Sequence, residues 1–345
     1  MISPKVSIII DNYNYERFVA TAVESALNQT YPHCEVIVVD DGSTDGSREI
    51  LAAYQSRVKL VLKQNGGQPS AFNAGFEAAS GELVAFLDSD DALFPDAVKT
   101  AVLAWRKGIV KVQFPLAVLD QNGRATGLLM PRNPLAEGSL LEEYLKTGKY
   151  VAAPTSGNMF SRQFLIDILP MPEQEWETAD GYINTCAPFF GEVAAIKRPL
   201  GFYRIHGNSM TTISHQGSTD LEKIKKLLRH ATLEKSLFER LAQERALSVI
   251  NTGGLAHWMD LKLIIAFHKL TEAAWIQRAK VLFTSGVSMI VSVAKASELS
   301  RFRKMQNICW TLGVMALPRA NARWLIHYAF DKSPASWFSR VLRRA

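Results

Sequence analysis

Four short apolar runs, each closing on acids or amides, constrain this chain more than any other feature. Residues 6–10 lead into Asp11-Asn12-Tyr13-Asn14, and residues 36–39 into Asp40-Asp41-Gly42-Ser43. Residues 58–62 precede Asn65-Gly66-Gly67-Gln68, and residues 83–87 lead into Asp88-Ser89-Asp90-Asp91. Runs of four or five mainly β-branched and aliphatic residues, interrupted here only by Ser7 and Lys59, read as buried strands when polar residues bound them. Between them lie segments of helical spacing, at 15–28, from about 43 to 54, at 69–79 and at 95–106. Strand and helix in strict alternation predict a mostly parallel sheet with right-handed crossovers. Such a sheet gathers its strand ends on one rim, where ligands bind.

The fourth rim segment is the most acidic. Asp88, Asp90 and Asp91 place three carboxylates within four positions of a buried strand. Carboxylates that lose hydration while repelling one another stay ionised only beside positive charge. A hard divalent cation is the natural partner, and it would in turn hold phosphates. The plainer alternative is a polar loop in which Asp91 caps the next helix. An aromatic ring, an isolated carboxylate, glycines and an acidic cluster in one crevice suit a nucleoside diphosphate. The chain has neither a Gly-rich phosphate loop ending in Lys-Ser/Thr nor a Gly-x-Gly-x-x-Gly turn, which sets aside ATPase and dehydrogenase readings.

Beyond residue 110 the pattern changes. Two apolar segments flank Asp120-Gln121-Asn122-Gly123, a hairpin signal. Residues 139–147 and 181–190 read as helices, and 193–196 and 201–204 as short strands. Residues 219–345 read as helical. The expected organisation is one α/β domain over 1–215, with a nucleotide-binding half (1–110) and an acceptor half (111–215), then a helical, basic region over 216–345. Residues 251–345 carry 14 Lys and Arg against 4 Asp and Glu, whereas the whole chain is only +6. Five of the seven tryptophans also fall there, at 258, 275, 310, 324 and 337. A basic, Trp-bearing region suggests contact with an anionic surface, lipid before nucleic acid. Its longest uncharged stretch, 281–294, is too short to span a bilayer, which takes about 20 residues. It suits a core helix or an interfacial one. Three scattered cysteines and no visible secretory signal fit a reducing, cytoplasmic setting.

The ordered series Val6-Ser7-Ile8-Ile9-Ile10-Asp11-Asn12-Tyr13-Asn14, Ser25-Ala26-Leu27-Asn28-Gln29-Thr30-Tyr31-Pro32, Val38-Val39-Asp40-Asp41-Gly42-Ser43-Thr44-Asp45, Asn73-Ala74-Gly75 and Phe86-Leu87-Asp88-Ser89-Asp90-Asp91 resembles family 2 glycosyltransferases. These are inverting enzymes of the GT-A fold. The resemblance implies a Rossmann-like, mostly parallel sheet with helices on both faces. It implies sugar transfer from a nucleotide diphosphate, UDP-linked, to an acceptor hydroxyl in polysaccharide or glycolipid synthesis. Tyr13 then looks like the base-stacking ring and Asp40 the acceptor for a uracil N–H, with Asp11, Gln68 and Arg204 also near the nucleotide. Asp90 looks like the ligand of Mn²⁺ or Mg²⁺. Asp88 sits beside it, for ribose or metal, and His206 of Tyr203-Arg204-Ile205-His206 is a third candidate ligand. Asp180 matches the general base, although Ala179 stands where the family usually has Glu. Glu177 is the runner-up base. Trp176 suits a sugar floor or a core residue, and Asp180 could also cap a helix beginning near Tyr182.

Three other readings compete. A sugar-nucleotidyltransferase would want a Gly-rich, basic loop after the first strand, but Asp11-Asn12-Tyr13-Asn14 is acidic. A catalytically inactive nucleotide-sugar-binding scaffold is favoured only by Ala179. A processive synthase would want Gln-x-x-Arg-Trp, and here Ala320 precedes Arg323-Trp324.

Overall fold

A computed structural model describes residues 3–120, 122–176, 178–206, 217–249, 264–267, 269, 275–295, 301–317, 321–322 and 325–326. Two compact units divide the chain. One is Met1–Arg204 with Leu233–Val249, and the other is Ile205–Thr232 with Ile250–Ala345.

The first unit is built on a seven-stranded sheet. Its strands are β1 (Val6–Asn12), β2 (Cys34–Asp40), β3 (Lys59–Leu62), β4 (Leu83–Asp88), β6 (Ile109–Gln113), β9 (Asn158–Ser161) and β10 (Glu192–Ala195), in the order β10-β6-β9-β4-β1-β2-β3. Alternation along each central strand feeds two cores. Val6, Ile8 and Ile10 of β1, with Val36 and Val38 of β2, enter one core with α1 (Val19–Leu27) and α4 (Ala97–Leu103). Leu51 of α2 (Ser47–Ala52) joins them. Ile9, Ile37, Val39, Val84 and Phe86 point the other way, onto α3 (Gln68–Ala78), α6 (Arg162–Ile168) and α7 (Ala179–Phe190). Burial on both faces is why these strands read as continuous apolar runs. Tyr144 of α5 (Leu141–Thr147) packs edge-on against Phe238, which lies on α8 (Gly217–Glu244), so the later part of that helix joins this core.

The strands foreseen from the sequence all form, with ends shifted by a residue or two. Two features depart from expectation. β9 runs antiparallel between β4 and β6. A second sheet also forms, of β5 (Ala92–Leu93), β11 (Gly201–Arg204), β7 (Leu116–Leu119) and β8 (Ala125–Met130), in the order β5-β11-β7-β8. Its β7–β8 pair is the expected hairpin, closed by Asp120 Oδ1, which accepts from the amides of Asn122 and Arg124 at 2.9 Å each.

The second unit is helical where described. α9 (Trp275–Lys295) and α10 (Arg301–Ala316) contribute Leu282, Met289, Val293, Trp310 and Val314 to a core with Ile224 and Ile265. The uncharged stretch is thus part of α9, with one face in a core. Among the described residues no helix is long and apolar enough to cross a membrane. Trp258, Arg323, Trp324 and Trp337 lie outside the described residues or side chains.

Helix α3 bears on the site directly, and Gly75 lets it approach the sheet. A Cβ there would lie 2.3 Å from Ile9 Cγ2 and 3.2 Å from Val39 Cγ2. Both neighbours are β-branched, buried and stiff, so they cannot yield cheaply. Gly75→Ala is expected to destabilise the protein by about 1–3 kcal/mol, despite the better helix propensity of Ala. Urea denaturation followed by circular dichroism measures this, and an unchanged midpoint would contradict the packing described.

Candidate active site

The chain leaves β3 and crosses over β1 to enter β4, so the strand order reverses at β1. Register makes the consequence explicit. Asp11 of β1 is paired across the sheet with Asp88 of β4, and Asn12 with Asp40 of β2. Three strand ends therefore deliver their acids to one crevice at the topological switch point.

The acids divide by their partners. Asp40 is fully buried, with Oδ1 accepting from Arg48 Nε (2.7 Å) and Ser43 N (3.1 Å) and Oδ2 from Asn12 Nδ2 (3.0 Å). Burial pushes its pKa up, but the bonds from Ser43, Arg48 and Asn12 outweigh this and hold it below the usual carboxylate range. Asp41 fixes the loop after β3. Its oxygens accept from Lys63 Nζ (2.6 Å) and from the amides of Gly66 (3.0 Å) and Gly67 (2.7 Å). Gly67 has φ +85°, a backbone that other residues rarely adopt. Asp91 is buried too, accepting from Ser156 Oγ (2.6 Å) and Arg204 N (3.0 Å). These three anchor the crevice walls.

Asp11 and Asp88 face inward with fewer donors. Gln68 Nε2 donates to both, at 3.3 Å to Asp11 Oδ2 and 2.9 Å to Asp88 Oδ1. The other oxygen of Asp11, Oδ1, is buried with no hydrogen-bond partner. Burial, then the charge of Asp90, raises Asp11 to about 7 against the Gln68 bond. Burial first, then Asp11, Asp91, Asp90 and Asp180, also raises Asp88 well above its ordinary value. Burial and Asp90 raise Asp91 in the same way. Asp88, Asp90 and Asp91 each bring an oxygen within 4.8 Å of the others. Hard oxygen donors, mutual repulsion and an orphaned carboxylate oxygen together fit a divalent cation.

Tyr13 is 45% exposed at the rim, next to Asn14, whose φ is +59°. Arg204 donates from Nε to the carbonyl of Asp90 (3.1 Å), and its guanidinium lies 4.8 Å from the Phe18 ring centroid. Asp180 lies in the first turn of α7 and accepts from Gly181 N at 2.9 Å. The helix begins at Ala179 with Thr178 as N-cap, so Asp180 is not the cap that a start near Tyr182 would require. Its charge acts on Asp88, which puts the base candidate and the acidic cluster in one electrostatic neighbourhood. Trp176 is buried, edge-on to Tyr182 at 5.4 Å, which is the core role. Glu177 lies outside the described residues, and His206 belongs to the second unit.

Two residues went unnoticed in the sequence. Burial, followed by the charges of Asp90, Asp88, Asp11 and Asp91, raises the phenol of Tyr15. Its spacing from Tyr13 was the available signal. Lys111, in the middle of β6, is fully buried and donates to Asn184 Oδ1 at 2.5 Å, one helical turn after Asp180. Burial lowers it to about 7, opposed by the Asp180 carboxylate. A lysine inside an apolar strand gives no hint of its partner.

Comparison with known proteins agrees with this geometry. Residues 7–168 match the profile of Glycosyl transferase family 2. An uncharacterized glycosyltransferase of Nostoc sp. is 37% identical over 219 residues, 61% of this chain and 68% of the relative. Among solved structures, S. aureus TarS 1–349 in complex with UDP-GlcNAc superposes with a TM-score of 0.50 at 19% identity, covering 89% of this chain and 90% of that one. The mannosyltransferase PcManGT from Pyrobaculum calidifontis, in complex with GDP-Man and Mn²⁺, gives 0.51 at 15% identity over 96% and 85%. The chain has the GT-A fold. It belongs to glycosyltransferase family 2.

Asp11 allows a test of the crowding. Its pKa is raised, so the folded state keeps a proton that the unfolded state releases. Folding stability from this group is therefore lost as pH rises from about 4 to 7. Asp11→Asn keeps an acceptor for Gln68 and removes the charge. In EDTA, the melting temperature of the variant is expected to rise relative to wild type across that window. A constant difference between pH 4 and 7 would contradict the crowding.

Proposed function

We propose that the protein is a metal-dependent, inverting glycosyltransferase that moves a sugar from a nucleotide-diphosphate donor, UDP-linked, to an acceptor hydroxyl. The observation that carries this is the pairing of Asp11 with Asp88 at the strand reversal, with the charge of Asp180 acting on Asp88. Tyr13 is exposed for a base to stack on, and Arg204 lies beside the Asp90 backbone where phosphate would approach. Asp88 and Asp90 would hold the cation, with the Asp91 carboxylate in the same cluster. When bound, Mn²⁺ or Mg²⁺ would neutralise charge on the leaving diphosphate. Asp180 takes the proton from the acceptor hydroxyl on the face opposite the leaving group, which inversion requires. The nucleotide sugars held by the two solved neighbours support a donor of this class, and the Mn²⁺ of one supports the cation. Asp40 is fully buried with both oxygens bonded, so a contact from Asp40 to uracil needs its surroundings to open.

A panel of UDP- and GDP-sugars with Mn²⁺ tests the reading. The correct donor raises the melting temperature of wild type and Asp180→Asn, but not of Asp90→Ala. Asp180→Asn loses about 10²- to 10⁴-fold in turnover, the range for a general base. A donor that binds wild type without turnover, whatever the acceptor, would support a scaffold instead.

The acceptor side of the proposal is a glycan on a lipid carrier, reached from the cytoplasmic surface of a membrane. Neither α9 nor α10 contains an acidic residue. Each also exposes large apolar side chains at helical spacing, Phe283, Val287 and Val291 on α9 and Phe302, Met305 and Leu312 on α10. Exposed Arg301 and Arg303 sit beside Phe302. Apolar side chains beside cations suit an anionic lipid surface. The protein is expected to sediment with vesicles containing phosphatidylglycerol, to be released by high salt, and to bind several-fold less as Phe283→Glu/Val287→Glu. Equal recovery with neutral and anionic vesicles would remove the electrostatic part.

A further inference from the structure

The acidic cluster and the base-bearing helix are joined through one side chain, that of Gln68. Its Nε2 donates to Asp11 and Asp88, while its Oε1 accepts from the backbone N–H of Ala179 at 3.1 Å. Ala179 is the first residue of α7, and Asp180 is the next. A carboxamide is the uncharged side chain that offers donors on one side and an acceptor on the other. Here both capacities are used, across 111 residues of sequence. The N–H it engages is one of the helix-start donors that have no partner within their own helix.

Gln68 is itself held. The amides of Gly66 and Gly67 just before it are pinned by the buried Asp41. Farther along α3, Asn73 forms a two-way clamp on Met171, donating to its carbonyl at 3.0 Å and accepting from its amide at 2.9 Å. Two amides of one helix thus secure both ends of the segment 171–179 that leads to the base.

We propose that Gln68 is a positioning residue that sets the register of Asp180 against the donor-holding carboxylates. This rests on the reading of Asp180 as base. It differs from a nucleotide contact, which would act through donor affinity alone. Proton abstraction must occur within hydrogen-bond reach of an acceptor placed in line with the leaving group. Displacement by about 1 Å can cost about 10²-fold. Water is small and unanchored, so attack on the donor by water depends less on that register.

The test cuts the link from either end. Gln68→Met keeps the length and removes both kinds of bond. Ala179→Pro removes the N–H, and its ring Cδ takes the place of the bonded hydrogen. Proline is well suited to the first position of a helix, and Thr178, with φ −129° and ψ 141°, already has the extended backbone that precedes proline. With the donor found by the panel, Ala179→Pro, which removes only the bond to α7, is expected to bind donor and Mn²⁺ within about three-fold of wild type by calorimetry. Gln68→Met, which also takes the shared amide from Asp11 and Asp88, is compared at saturating donor and Mn²⁺. The kcat for transfer should fall by about 30- to 100-fold, in keeping with the cost of a misplaced reacting group. The ratio of donor hydrolysis to transfer should rise at least ten-fold. The double variant should be no worse than either single one, because both cut the same link.

A loss confined to donor KM would overturn the proposal in favour of a nucleotide contact. A fall in melting temperature with an unchanged hydrolysis-to-transfer ratio would overturn it in favour of a structural tie. If Ala179→Pro does not fold, the hydrolysis-to-transfer ratio of Gln68→Met at saturating donor and Mn²⁺ decides alone. Asp180→Asn in the same assay separates the two levels. Retained transfer there removes the base, whereas an inactive Asp180→Asn beside a wild-type Gln68→Met removes only the link.

Discussion

Repulsion among half-desolvated carboxylates is the constraint that organises this molecule. The sheet register leaves no choice about where Asp11 and Asp88 sit, since they are cross-strand neighbours at the reversal of strand order. Two like charges so placed are unfavourable unless protonated or neutralised. The fold answers by sorting its acids. Asp40, Asp41 and Asp91 are wrapped in donors and work as structural posts. Asp11 and Asp88 are left to share a single carboxamide, with Asp90 beside them. A protein gains nothing in stability from such an arrangement. The strain is what an active site keeps when a charged ligand will relieve it.

The same sorting explains what could be read in the sequence. Strands β1, β2 and β4 were legible because burial on both faces leaves their interiors apolar, Ser7 of β1 excepted, and the polarity returns abruptly at the rim. The acids at their ends were legible as a group for the same reason. Their individual partners were not. Asp40 and Asp90 look alike in sequence, yet Arg48, eight residues on, pairs with Asp40. Which acid is covered depends on a helix-borne side chain whose direction no spacing fixes. A strand within 151–160 was legible, but its reversal was not. Asn158-Met159-Phe160-Ser161 is a short segment with two apolar residues, and its direction follows from β4 and β6, which flank it. Short α6 and the two-residue β5 carry too few turns or alternations to register as periods.

Glycine use follows from the site as much as from the fold. Gly75 lets α3 lie close against β1 and β2, which brings Gln68 to the rim. Gly67 supplies the positive φ that turns the chain into that helix, and Asp41 takes up the amides this turn leaves unpaired. The series from Asp41 through Gly66 and Gly67 to Gln68 is therefore one mechanical unit. It converts the position of β2 into the position of an amide between two carboxylates.

That unit clarifies how the two halves of the α/β body work together. Asp11, Asp40 and Asp88 belong to the regular β-α-β part, whose register is set by backbone pairing and cannot vary without flipping core residues outward. Asp180 belongs to the half where strands are short, one runs backwards and loops are long. Gln68 and Asn73 of the first half accept from the amides of Ala179 and Met171 and so tie the second half to it. These bonds span few atoms and involve backbone groups at the two ends of the segment 171–179. If Asp180 is the base, as proposed, its placement follows from an amide fixed at one end by two carboxylates and at the other by a helix start.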